Sequence, residues 1–395
     1  MPAIASGALV DTRFIQEVTF GVTPATPTMQ RLRFTQNTLN LDKQVYESNE
    51  INSTRGISDQ RHGLRTAKGA INFELGLQTF DLLIQAALGG TWAVVTTGSA
   101  TLAGAAGSFT QASGSFITMG FNVGDEIISS GFAVGNNNAR WKVTAVAALT
   151  LTVSPSGTNT NAVVVDASAA ARTLCVGVST VTPGKSLKMG STLTSFTIER
   201  GFTNINQWEA FTGMVPNVLT LTCKPGQIVD VQMDFIGKDM AISGASLATG
   251  TTPPATNSPF DSFTGTLQEN GSPIALITAI DMKIENNRTT EGIVGSKTTP
   301  AVFEGRSRIA GKVTVLFQDA VMLTKFLSET QSSIDLVLGD LNGVDFHHIN
   351  LPRVKYNTGM VTSPKDGPCI IEMGYEGLYD ATTTLTNIIY QRSNT

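Results

Sequence analysis

Residues 63–75 read GLRTAKGAINFEL, and residues 305–317 read GRSRIAGKVTVLF. In both stretches two glycines stand six apart, Gly63 with Gly69 and Gly305 with Gly311. An alternating run follows each second glycine: Ile71, Phe73 and Leu75 in one copy, Val313, Val315 and Phe317 in the other. A period of two places alternate side chains on one face of a strand, so each copy predicts a turn leading into a strand with one apolar face. Repetition of such a unit points to an internal duplication.

The echo extends both ways. Upstream, TLNLDK at 38–43 alternates as IDMKIEN does at 280–286, with Leu39 and Leu41 matching Met282 and Ile284. Downstream, Phe80, Leu83, Ile84, Ala87 and Leu88 fall at helical spacing, as do Leu323, Phe326 and Leu327. Each copy therefore predicts strand, long loop, strand, helix. A second block recurs at 215–239 and 351–380, where Pro216 and Val218 match Pro352 and Val354, and Met233, Phe235 and Gly237 match Met373, Tyr375 and Gly377.

These matches divide the chain into an N-terminal arm (1–33), a first β domain (34–92 and 181–240), a small inserted β domain (93–180), a linker rich in Pro, Thr, Ser and Gly (241–276), a second β domain (277–380) and a C-terminal tail (381–395). The insert carries few charges, Asp125, Glu126, Arg140, Lys142, Asp166 and Arg172, and its middle reads as short strands with turns at Gly131 and at 136–138.

Composition agrees with a mainly β chain. Of 395 residues 15% are charged and 41% hydrophobic, and small and β-branched types favour strands over long helices. The net charge of −4 lacks the basic footprint of a protein that grips nucleic acid. Cys175, Cys223 and Cys369 are odd in number and far apart, which argues for plain thiols. No apolar run approaches a membrane span, and residues 1–33 show no export signal.

The search for chemistry excludes more than it finds. His62, His347 and His348 read as polar loop histidines, too few and too isolated for a metal site. No nucleophile motif and no catalytic carboxylate pair stands out, so no enzyme, metal or cofactor is expected.

The stretches LRFTQNTLNLDKQVYESNEI, RGISDQRHGLRTAKGAINFELGLQTFDLLIQAALGGTW and MVPNVLTLTCKPGQIVDVQMDFIGKD resemble the tail tube proteins, or major tail proteins, of long-tailed bacteriophages. The resemblance covers about 34–92 and 190–240 well and the second copy more weakly. It implies tandem tail-tube β-sandwich or barrel domains with a short flanking helix, subunits that polymerise into stacked rings, and a conduit for DNA ejection. Implied partners are further copies of the chain, the tape measure, tail terminator and distal tail proteins, and DNA that passes without tight binding. The implied location is the virion tail, after assembly in the host cytoplasm. With two tube domains per chain and six-fold family geometry, three chains would close a pseudo-hexameric ring; six chains with an outward second domain is the rival. A carbohydrate- or receptor-binding module is the alternative function, in which Trp92, Trp141 and Trp208 could hide a sugar platform.

Two residue sets follow. One strand face shows Asp42, Glu74, Asp230, Asp234, Asp281, Glu285, Glu372 and Glu376 against Lys283 and Lys312, a surface that would repel phosphates if it lined a channel and is otherwise a solvated outer face. The loops 44–62 and 286–304 are of matched length and mix apolar with charged residues: Tyr46, Glu50, Ile51, Arg55, Ile57, Asp59 and Arg61 in one, Arg288, Glu291, Ile293, Lys297, Phe303 and Glu304 in the other. Long loops in compact domains commonly bind something, so these are candidates for contacts between stacked rings; a mobile surface loop is the bland alternative.

Overall fold

The computed structural model describes residues 4–51, 53, 56–157, 159–177, 182–262, 265–269, 272–274, 276–339 and 345–393. The chain is mainly β, with two α-helices among the described residues. The principal elements are β1 (Val10–Gln16), β2 (Asn40–Glu47), β3 (Gln60–Glu74), α1 (Asp81–Leu88), β4 (Phe196–Phe202), β5 (Gln207–Cys223), β6 (Asp230–Gly237), β7 (Asp239–Ser243), β8 (Thr266–Glu269), β9 (Ile277–Glu285), β10 (Arg308–Leu316), α2 (Val321–Leu327), β11 (Ser332–Gly339), β12 (Phe346–Thr362), β13 (Ile370–Gly377) and β14 (Ile389–Arg392).

Eight of these strands lie side by side, all antiparallel, in the order β2–β3–β6–β5–β9–β10–β13–β12. Alternation gives the sheet two unlike faces. Ile71, Phe73, Val231, Met233, Leu219, Leu221, Ile280, Met282, Ile284, Val313, Ile371 and Met373 turn one way into a single buried core. The polar residues between them turn the other way and remain partly exposed.

The two four-strand halves share their registers. Phe235 stands opposite Gly69 as Tyr375 stands opposite Gly311. Leu219 faces Met233 as Gly359 faces Met373, and Leu41 faces Ala67 as Ile284 faces Ile309. The outer strands follow suit: Ile198 meets Phe211 and Ile334 meets Leu351, each beside a local irregularity. The repeated second glycine has a steric cause. A Cβ on Gly69 would fall 2.5 Å from the Thr38 carbonyl oxygen, and one on Gly311 would strike the matching Asp281 carbonyl oxygen. Both carbonyls lie on backbone, which cannot swing aside as a side chain can.

Several expectations need correction. The match of Pro216 with Pro352 is displaced by four residues, because the ladder sets Pro216 opposite Phe235 and Tyr356 opposite Tyr375. The loops are shorter than the spacing suggests. β2 continues to Glu47 and β3 begins at Gln60, with Val45 opposite His62 and Tyr46 opposite Arg61. The bare Cα of Gly63 makes room there for the Tyr46 ring. In the second copy Thr289 and Thr290 pair with Phe303 and Val302. The arm, linker and tail also carry strands: β1 pairs with β4, β8 with β11, and β14 with β12. His347 and His348 are not loop residues; both are fully buried on β12.

Residues 100–176 form a closed six-strand barrel around a second core that includes Phe109, Phe116 and Trp141. Its buried Arg172 is held by Asp166 at 2.6 Å, which keeps a charge tolerable inside the barrel. The barrel is fastened to the second half of the chain. Lys142 meets Asp335 of β11 at 2.8 Å, and Gln391 of β14 donates to Asp125 at 2.5 Å. His348 lies 3.2 Å from Asp335. Burial pushes the Asp125 carboxyl up to about 7. Burial also works against a charge on His348, but the hydrogen bond and attraction from Asp335, helped by Glu126, outweigh it and raise the imidazole above its usual value.

Candidate assembly interface

The register brings all eight predicted acids onto the open face of the eight-strand sheet. One row shows how: Glu74 pairs with Asp230, Asp230 with Thr222, Thr222 with Asp281, and Asp281 with Lys312. The face is less one-sided than the sequence count of two bases suggested. Lys68 bonds Asp42 at 2.5 Å, and Arg308 bonds Glu376 at 3.0 Å. Lys283 meets Glu285 at 2.5 Å, and Lys312 meets Glu372 at 3.2 Å. Asp42 is accordingly held below the usual carboxylate range by the hydrogen bond and charge of Lys68. Lys68 and Arg308 are legible in the alternation, six residues before Glu74 and four before Lys312, but they lie outside the apolar runs.

Four acids, Glu74, Asp230, Asp234 and Asp281, have no ion-pair partner among the described residues. They gather around β6 and the β5–β9 seam. Directly opposed carboxylates such as Asp230 and Glu74 oppose pairing, so nothing in folding favours them there. Burial raises the Asp230 carboxyl above its usual value. The acidic positions also differ between halves: the pair Asp230 and Glu74 is replaced by Ile370 and Leu316 at the same point of the second ladder.

The two loops have different fates. The first projects as a hairpin tip in which Tyr46, Glu50, Ile51, Ile57, Asp59 and Arg61 are all exposed, while Arg55 lies outside the described residues. Asp59 and Arg61 pair at 2.8 Å, and Ser58 donates to Glu50. The second loop folds back on its own chain. The backbone N–H of Arg65 in β3 donates to the Lys297 carbonyl at 2.8 Å. Arg288 is buried, its guanidinium on the Pro216 and Ala86 carbonyls and on Glu304 at 2.9 Å. That charge is committed inside the subunit. Glu291, Ile293, Lys297 and Phe303 remain exposed.

A sugar platform finds no support in the tryptophans. Trp141 and Trp208 are buried, and the Trp92 ring stands edge-on to Tyr390 with its N–H on the Asp81 carbonyl. Among the described residues no group of His, Cys, Asp and Glu has a metal-binding arrangement, and no helix is long and apolar enough to cross a membrane.

The sheet thus presents one apolar and one net acidic face, with a hairpin at one edge. A family model for phage tail tube protein matches residues 7–366, and the chain belongs to that family. No curated protein matches it. The protein is a structural component of the phage tail tube, not an enzyme; it self-assembles into a tube and its place is the virion tail.

Proposed function

We propose that three chains close one ring, that each chain supplies two homologous tube domains, and that stacked rings form the conduit through which DNA leaves the virion. The observation that carries this reading is the unbroken eight-strand sheet, whose halves repeat one register and whose open face is net acidic. We draw the first tube domain over residues 10–92 and 181–243, interrupted by the barrel insert, and the second over 266–392. True six-fold rings in a reconstruction would overturn the three-chain ring in favour of six chains with an outward second domain.

The acidic face lines the lumen in this reading, where unpaired carboxylates repel phosphates and leave DNA free to slide. The hairpin tip around Ile51 and Ile57 reaches the neighbouring ring, joined by the exposed Ile293 and Phe303. Exposed ion pairs contribute only about 0–1 kcal/mol each, so the apolar residues carry that contact and salt does not dissolve the tube. Tape measure, terminator and distal tail proteins meet the tube at its axis and ends.

Reversing Glu74 and Asp234 together to lysine is expected to slow DNA ejection with tube assembly intact; wild-type ejection kinetics would mean the face is an outer one. Replacing residues 46–58 with a short Gly/Ser linker is expected to leave folded subunits that no longer polymerise, and normal tubes from that variant would remove the stacking role.

A further inference from the structure

The eight-strand sheet holds one seam between its halves, β5 against β9, and among the described residues its two edges, β2 and the last part of β12, have no ladder partner on their outer side. Resting on the ring reading above, we propose that β12 of one chain pairs with β2 of a second copy in the register of the internal seam. Adding 140 to a β5 number gives its β12 counterpart, as Leu219 to Gly359, and subtracting 243 from a β9 number gives its β2 counterpart, as Ile284 to Leu41. Inside the chain Val218 stands opposite Glu285, Leu219 opposite Ile284 and Thr220 opposite Lys283. The seam between chains therefore sets Thr358 opposite Asp42, Gly359 opposite Leu41 and Met360 opposite Asn40 of the second copy.

Three observations select a second copy as the occupant. The first is an asparagine at the same bulge in both halves. Asn217 interrupts the β5 ladder between Pro216 and Val218, and Asn357 interrupts the β12 ladder between Tyr356 and Thr358. Asn217 clasps the strand arriving across the internal seam: its carbonyl accepts from the Asn286 N–H at 2.9 Å and its side-chain oxygen from the Arg288 N–H at 2.8 Å. Asn357 is exposed and has no such clasp among the described residues. The same mapping delivers the backbone N–H groups of Lys43 and Val45 of the second copy to it.

The second observation is apolar surface on the edge that would be covered. Val361 is 38% exposed, whereas its counterpart Leu221 in the closed seam is 1% exposed. Met360 beside it is also exposed. The third is the state of the β2 edge. The Leu39 and Leu41 N–H groups point away from β3, and each is held by a neighbouring side chain, Asn37 and Asn40, in place of a strand. A free edge is an aggregation hazard unless blunted, and these local bonds are exchangeable for a ladder.

The test uses the full chain with exposed Cys369 replaced by serine; Cys175 and Cys223 are buried. Asn40→Cys and Met360→Cys are made singly and together. Directly opposed residues in either kind of antiparallel pair have Cα separations of about 4.5–5.5 Å, inside the range a disulfide spans, while diagonal neighbours at about 7–8 Å are not. Under mild oxidation, tubes of the double variant, or of the two single variants mixed, are expected to give covalent multimers on a non-reducing gel. Each single variant alone, and the displaced pair Asn40→Cys with Thr358→Cys, are expected to stay monomeric. Tubes that form with no cross-link, or with only the displaced one, would overturn the register and leave the ring reading standing. A chain that forms no rings or tubes would overturn both. Asn357→Ala gives the second readout: an unchanged melting temperature with the concentration needed for assembly raised about tenfold, the equivalent of about 1.4 kcal/mol. Unchanged assembly by that variant would remove the clasp.

Discussion

The two helices answer to each other in apolar spacing and end in different surroundings. α1 buries Leu83, Ile84, Ala86, Ala87 and Leu88 beneath β5 and the strap from Asn286 to Arg288, whose side chains bond the Ala87 and Ala86 carbonyls. α2 packs on β12 through Leu323 and Phe326 but has no fully buried residue, and Leu327 is 72% exposed where Ile84 is 2%. The difference is not one of propensity. It teaches that the first half finds the cover for its helix within the chain, whereas the second half leaves the matching face of its helix open.

The sharpest way to break that contrast is to charge the two helices in turn. Ile84→Asp places an unpaired carboxylate in the core and is expected to cost about 4 kcal/mol or more, read as loss of cooperative folding in denaturant. Leu327→Asp is expected to change monomer stability by less than about 0.5 kcal/mol and to abolish assembly. Equal damage from the two would erase the distinction.

Next in size come the glycines, where the halves should behave alike. Gly69→Val and Gly311→Val each drive a side chain into a neighbouring strand carbonyl, and each is expected to destabilise by about 3 kcal/mol in urea titrations. A mild effect at one site would show that its ladder relaxes. Asn217→Ala comes third, with an expected loss of about 1–3 kcal/mol because the Arg288 N–H loses its side-chain acceptor; Asn357→Ala leaves the monomer unaffected.

The smallest expected effect lies where the barrel meets the second half. His348 has a raised value in the fold, so its stabilising charge is complete below its unfolded value near 6.5 and is lost as pH rises through the folded one. Asp125, pushed up to about 7, keeps in the fold a proton that the unfolded chain releases near 4, so its burial becomes costlier as pH climbs to 7. Asp335 is held low despite its burial, through His348 and Lys142, and its contribution fails only in acid below the usual carboxylate range. Thermal melts are expected to show a transition falling by a few degrees from pH 5 to 8, with a flatter profile for His348→Gln. A transition that rises over that range would refute the assignment.

Much of this architecture was legible in the residues. The paired glycines and the runs after them marked β3 and β10 as equivalent strands with one apolar face, because a close approach to a neighbouring carbonyl and a buried face both restrict the residue type. The Met233 and Met373 blocks fixed β6 and β13 for the same reason. Pro216 and Pro352 misled, since a shared residue type does not fix a register and the ladders make Tyr356 the counterpart of Pro216. β1, β8 and β14 are not legible in the sequence, because short strands of mixed residue types carry no strong alternation. His347 and His348 were misread as loop residues because their burial depends on Asp335, Gln391 and Tyr390, partners distant in sequence. The acids lie on one face of the sheet, while the cations beside them are visible only when the ladder supplies cross-strand neighbours.

Both halves sit on one polypeptide, and that fact has a kinetic side. Strand β9 meets β5 as part of folding, at an effective concentration that for short flexible tethers lies on the order of millimolar, whatever the amount of protein in the cell. In a ring of three chains, half of the joints are thus complete before any two molecules collide, and only the others depend on protein concentration. Ring closure in such a ring is a third-order event in place of a sixth-order one, so rings would close from more dilute subunits than six separate domains would need.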